Sequence, residues 1–342
     1  MAASSAITAA DASPRVVEDC CGVLRVLSDG IVVRSAPPVA DDVPVDPSVE
    51  WKDVVYDAVL GLSLRVYRPA AAAVAGDGEK LKLPFVVVFH GGDFCISAYA
   101  LPTFHAACTR LAAGTGAVSS PLTTASRPRA PPARRNRRRG RGSPLAPRPR
   151  RRRPMDLRAR RPGQAPTCVT KLFSGKVFVS GESAGGVLAH DLNVRFTGGA
   201  PTETLGPVRL CGFIPLMPFF IGKEPKRSEL SCLDDAYLNR NMLVRFLRLC
   251  LPPGTDADHP FGPDSPRLEG VVVRPTLVVM ARDDILRDIN VEYVRQMAEM
   301  GKPVEVVEFA RQGHTFFSHR PWAEPVDELV RVFKQFMDKQ VS

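Results

Sequence analysis

At 342 residues, 44% of them hydrophobic, the chain is long enough for one large α/β domain or two smaller ones. Its formal charge of +10 is local: sixteen arginines and one acid, Asp156, lie between Arg127 and Arg161, a surplus of +15 that leaves the remainder at −5. Outside that block the chain is mildly acidic, and no run approaches the roughly 18 apolar residues of a membrane span, so a membrane partner is not expected.

The N-terminal stretch MAASSAITAADASPRVVEDCC has neither a basic n-region nor an apolar h-region, so no signal peptide is expected. The eight cysteines form no C-x-x-C pair and no zinc-ligand spacing, which reads as reduced thiols in a cytoplasmic protein, with the nucleus as a second compartment. No metal or organic cofactor is implied.

In chain order, Val23–Arg34 reads as two short strands around Ser28-Asp29-Gly30, part of an N-terminal arm over residues 1–50. Val54–Arg68 alternates and breaks at Leu60-Gly61, the pattern of an antiparallel hairpin. Pro84–His90 is a continuous apolar run, as expected of a strand buried on both faces. Thr103–Ala113 has helical periodicity, and Gly116-Ala117-Val118 begins another strand. Strands at Val208–Leu216, Pro275–Ala281 and Pro303–Phe309 alternate with helices at Val187–Phe196, Leu233–Leu251 and Asn290–Met300. In the second of these helices Leu243, Phe246, Leu247 and Cys250 share a face. A C-terminal helix, Trp322–Lys339, turns Val326, Leu329, Val330, Phe333, Phe336 and Met337 inward. Such alternation predicts a mostly parallel central sheet with helices on both faces.

The stretch KVFVSGESAGGVL, Lys176–Leu188, carries the chemistry. A β-branched run ends in Gly181-Glu182-Ser183-Ala184-Gly185 and a helical pattern follows, which is G-x-S-x-G in a strand–turn–helix context. Such a turn lifts the Ser183 hydroxyl above the sheet edge, where it serves as a nucleophile. Asp284 follows one apolar strand and His314 another, so the order Ser…Asp…His is that of α/β-hydrolase triads. Asp284 competes with Asp283, the second choice, and with Asp288. His190 reads as packing, and His105, His259 and His319 have no partner motif. His90-Gly91-Gly92-Asp93 leaves an apolar strand as an oxyanion loop would. Gly91, Gly92 and Ala184 are its candidate donors. The third glycine of the H-G-G-G pattern is Asp93, whose carboxylate opposes a developing oxyanion.

These residues resemble the plant carboxylesterases of the hormone-sensitive-lipase-like α/β-hydrolase class. VVVFHGGDFCISA is similar to that family's oxyanion strand and loop and SGESAGG to its elbow. ARDDILRD and GKPVEVVEFARQGHTFF are similar to its acid and base segments, and VVEDCCGVLRVLSDGIVVRS to its N-terminal cap. The resemblance implies an α/β-hydrolase domain over 51–342 with a small cap built from the N-terminal arm and the middle region. It implies Ser183, Asp284 and His314 as triad, Gly91, Gly92 and Ala184 at the oxyanion, and a small ester as substrate. Gibberellin receptors share the scaffold and lack the catalytic His, so His314 favours an esterase. A non-catalytic small-molecule receptor is the alternative, and Asp93 favours it.

Residues 119–165 interrupt this pattern with Arg, Pro, Ala, Gly and Ser of no regular period, as in a disordered segment. The family carries a segment like ADYRLAPE where this chain has LTTASRPR, Leu122–Arg129. Read one base earlier, codons for those eight residues can spell Ala-Asp-Tyr-Arg-Leu-Ala-Pro-Glu. The block therefore reads as a frame-shifted translation of ordinary family sequence. A nucleic-acid partner is disfavoured, since the block has no aromatic residues for stacking and no lysine.

Overall fold

The computed structural model describes residues 13–20, 22–35, 43–57, 62–70, 83–96, 99–122, 175–197, 208–222, 224–250 and 268–341. An eight-stranded sheet forms its centre. Its strands are β4 (Val49–Asp57), β5 (Leu62–Pro69), β6 (Phe85–Phe89), β7 (Val118–Leu122), β8 (Gly175–Glu182), β9 (Val208–Leu216), β10 (Thr276–Ala281) and β11 (Val304–Phe309). Three short strands, β1 (Val16–Cys20), β2 (Leu24–Leu27) and β3 (Val32–Arg34), make a separate antiparallel sheet.

The large sheet runs β11-β10-β9-β8-β6-β7-β5-β4. Pairings from β7 to β11 are parallel, whereas β4–β5 and β5–β7 are antiparallel. The expected hairpin is thus β4–β5, and β4 starts at Val49, two residues before the expected boundary at 51.

Because side chains alternate across a strand, the buried strands feed two cores at once. Along β10, Leu277, Val279 and Ala281 enter one cluster, and Val278 and Met280 enter the other. The first cluster is closed by α1 (Pro102–Thr115), the one-turn helix α6 (Phe316–His319) and the long C-terminal helix α7 (Glu324–Val341). The second is closed by α2 (Ala184–Thr197) and α5 (Arg287–Glu299), through Val187, Ile289, Tyr293 and Met297, with the one-turn helix α3 (Arg227–Leu230) against α5. All six residues expected to face inward on α7 are buried.

The two strands expected within Val23–Arg34 are β2 and β3, on either side of Ser28-Asp29-Gly30, and Val16–Cys20 adds a third, β1, by pairing with β2. Two expectations are corrected. On α4 (Arg240–Cys250) the buried residues are Leu243, Phe246 and Leu249, while Leu247 and Cys250 are only half-buried. This helix is wedged between the main core and the small sheet, so neighbours on both sides decide its inward face. Residues 119–122, assigned to the Arg/Pro block, belong to β7, where Ser119 and Ser120 are buried and paired with β6. Small side chains and ladder hydrogen bonds hold that strand, in which Val118 is the one β-branched residue. The rest of the block, and His259, lie outside the described residues.

Candidate active site

β8 turns into α2 at Ser183, which is forced to a positive φ of 55°. A non-glycine residue pays about 1–3 kcal/mol for that conformation. The backbone offsets it: Ser183 N–H donates to Leu216 O at 2.8 Å, and Ser183 O accepts from Gly186 N–H at 2.8 Å and Phe219 N–H at 3.0 Å. Glycine is required on both sides. A Cβ on Gly181 would stand 2.2 Å from Gly185 O, and one on Gly185 would stand 2.3 Å from Phe89 O.

The sheet order brings the ends of β8, β10 and β11 to one edge, and their loops converge. His314 Nε2 lies 3.0 Å from Ser183 Oγ, and His314 Nδ1 lies 2.9 Å from Asp284 Oδ2. All three side chains are buried. Asp284 is held in turn by the Leu286 N–H, which donates to its Oδ1 at 3.0 Å. Of the competing acids, Asp283 is exposed, and Asp288 pairs with Arg287 and accepts from Ser228 N–H. Only Asp284 meets His314. Burial is the largest influence on the His314 imidazole and depresses it, but the carboxylates of Asp284, Asp93 and Glu182 outweigh that and raise it.

Gly91 packs on the elbow, where an added Cβ would come within 3.3 Å of Ser183 Cβ. Gly91 and Gly92 line the same cavity as Ser183 and His314, and Ala184 is the first residue of α2. Helix N-termini favour negative charge, and α2 begins immediately after the serine. Asp93 follows with φ 51°, buried, and burial pushes its carboxyl up to about 6.

The cavity above Ser183 holds about 800 Å³, within the range of small-molecule sites. Val23, Pro44, Leu238, Met242 and Phe246 line it, so the N-terminal arm and α4 both border the space around the serine. Two lining groups carried no sequence signal. Glu182, the variable residue before the serine, is 1% exposed and accepts from Ser318 Oγ at 2.5 Å. Burial pushes Glu182 up to about 7. Tyr237 stands against His319, with ring centroids 4.7 Å apart.

His319 lines the same cavity, whereas His190 and His105 are placed elsewhere. His190 Nδ1 lies 2.8 Å from Tyr293 Oη, and its ring packs edge-on to Phe220, as packing predicts. His105 does have partners: its Nδ1 lies 2.6 Å from Tyr67 Oη, beside Arg65 and Asp53. Among the described residues no cluster of metal-ligating side chains occurs, and no helix is long and apolar enough to cross a membrane.

Comparison with known proteins agrees with this architecture. Residues 168–318 match the family described as alpha/beta hydrolase fold. Carboxylesterase 20 of Arabidopsis thaliana is 28% identical, over 85% of this chain and 85% of its own length. The gibberellin receptor GID1C of the same plant is 30% identical, over 75% of this chain and 71% of its own. Among solved structures, an esterase of Pyrobaculum calidifontis superposes with a TM-score of 0.59 at 22% identity, covering 87% of each chain. A Rhizomucor miehei esterase gives 0.60 at 18% identity, over 86% of this chain and 84% of its own. The last two speak to the fold alone. With its strand order, its elbow and relatives of this length and identity, the chain belongs to the hormone-sensitive-lipase-like plant carboxylesterase family of α/β-hydrolases.

Proposed function

We propose that the protein hydrolyses small carboxylic esters by a serine mechanism. The observation that carries this reading is the unbroken chain from Ser183 Oγ to His314 Nε2 at 3.0 Å and from His314 Nδ1 to Asp284 at 2.9 Å. Ser183 Oγ attacks the ester carbonyl while His314 takes its proton, and Asp284 keeps the imidazole oriented and stabilises its positive charge. The N–H groups of Gly91, Gly92 and Ala184 receive the oxyanion. The alcohol leaves with the proton from His314, and water activated by His314 then hydrolyses the acyl-enzyme. No metal or cofactor enters this scheme.

The test is hydrolysis of a short-chain nitrophenyl ester by the protein and by Ser183→Ala. Turnover that falls about 10³-fold or more in the variant supports the reading. Undiminished turnover in Ser183→Ala overturns it.

A second reading has one observation in its favour. Asp93 places a carboxyl on Ser183, and ligand binding without turnover is what such an obstruction would leave. The similarity to a gibberellin receptor is compatible with it. Tight binding of a small molecule in this cavity, with no acyl-enzyme formed, distinguishes that outcome.

A further inference from the structure

Asp93 stands where the glycine pattern of the oxyanion loop breaks. It is 6% exposed, and it lines the cavity with Ser183 and His314. The Ser183 hydroxyl is among the groups that hold its carboxyl down against burial, while its Oδ1 has no hydrogen-bond partner among the described residues. The Ser183 hydroxyl has His314 Nε2 at hydrogen-bond distance, 3.0 Å, and the Asp93 carboxylate as a second acceptor lining the same cavity, and only one proton to give.

Two arrangements satisfy the same atoms with the same number of protons. In one, His314 is an imidazolium that donates from Nδ1 to Asp284 and from Nε2 to Ser183 Oγ, and the serine proton points at an ionised Asp93. In the other, one proton has moved along that chain to Asp93, His314 is neutral, and the serine proton points at Nε2. Only the second has a free base facing the nucleophile. An ionised Asp93 also repels the oxyanion formed beside it.

We propose that Asp93 is a positioning residue that gates the nucleophile, holding Ser183 turned from its base whenever Asp93 is ionised and releasing it when the shared proton moves to Asp93. The inference rests on the serine-esterase reading and concerns the regulation of that site. Burial lifts Asp93 to about 6, and the carboxylates around His314 raise the imidazole, so the two titrate as a coupled pair. Asp284 faces both from the loop after β10, and Glu182 acts on His314 from the end of β8. Tyr237, Cys95 and Cys250 also feel the Asp93 charge. Burial pushes all three upward, Cys250 to about 12, so they stay neutral while the pair titrates.

The experiment compares the protein with Asp93→Asn and Asp93→Gly, which keep the site uncharged. Glycine also suits the left-handed backbone at this position. The pH profile of kcat/KM for a nitrophenyl ester is measured beside a ¹⁵N NMR titration of the His314 imidazole. The expected profile is bell-shaped for the native protein. In both variants the alkaline limb is lost, the acid limb moves to lower pH, and the maximum rises about 10-fold, as the locked fraction disappears. The His314 midpoint falls in parallel. Unchanged limbs with an unchanged His314 midpoint overturn the proposal, and so does a uniform loss of rate in both variants. If no form turns over ester, the esterase reading fails by itself. The NMR titration then decides the proton linkage: a lowered His314 midpoint upholds it and an unmoved one overturns it.

Discussion

Two buried carboxyls flank Ser183, and their energetics extend beyond catalysis. Asp93 and Glu182 are pushed by burial to about 6 and about 7, from ordinary values of 3.8 and 4.5. A carboxyl raised on folding contributes stability below its unfolded pKa, and that contribution is lost as pH rises through the folded value. The His314 imidazole is raised as well, so it acts in the same direction in the range above 6.5. Stability contributed by the two carboxyls therefore declines from about pH 4 to about pH 7, by at most ~1.4 kcal/mol per pH unit for each proton involved, and that of His314 goes on declining above 6.5. Denaturant midpoints should show Asp93→Asn and Glu182→Gln gaining on the native protein as pH is raised from 5 to 8. A constant offset across that range would contradict the assignment. Nothing local in the sequence announces Glu182, because it is a polar residue in a turn motif and only the packed loops above it exclude water.

The secondary-structure elements differ in how far their sequences determine them. Helix α7 repeats its apolar residues at three- and four-residue spacing against a single core, so its buried face is readable from periodicity alone. Phe333→Ala should cost about 3–5 kcal/mol in chemical denaturation, since its ring is fully buried there. Glu328→Ala, which removes only a half-exposed pair with Arg331, should stay within about 0.5 kcal/mol. Helix α4 is the opposite case. Phe246 and Leu249 pack with Cys20 and Leu24 of the small sheet, while Leu243 joins the main core. Two partners on different sides broaden its buried stripe beyond what one period shows. Strand β7 depends still more on context. Pro121 lies opposite Val88 between β6 and β5, where it donates no ladder hydrogen bond, and interior strands seldom contain proline.

For the molecule as a whole, that proline bears on the chain's integrity. β7 reaches Leu122, the first residue of the LTTASRPR stretch. If residues 122–165 are a frame-shifted translation, replacing them with the sequence of the other frame should raise soluble yield several-fold. The nucleotide sequence is the direct check: no frame there encoding a segment like ADYRLAPE would dismiss the idea. The cavity unites distant parts of the chain too, since the N-terminal arm and α4 both line it beside a serine that follows β8.

The sequence by itself determined the order of strands and helices, the elbow, and the chain order of serine, acid and histidine. It did so because periodicity and turn chemistry are local, acting over a few residues. Which of Asp283, Asp284 and Asp288 meets His314 was decided only by the tertiary structure, as was the closing of Asp93 and Glu182 around Ser183. Ser183 and His314 are 131 residues apart and Asp284 and His314 are 30 apart. Such distances are set by which strands lie side by side in the sheet, and burial is set by what packs above them. Both are properties of the assembled fold that no local stretch contains.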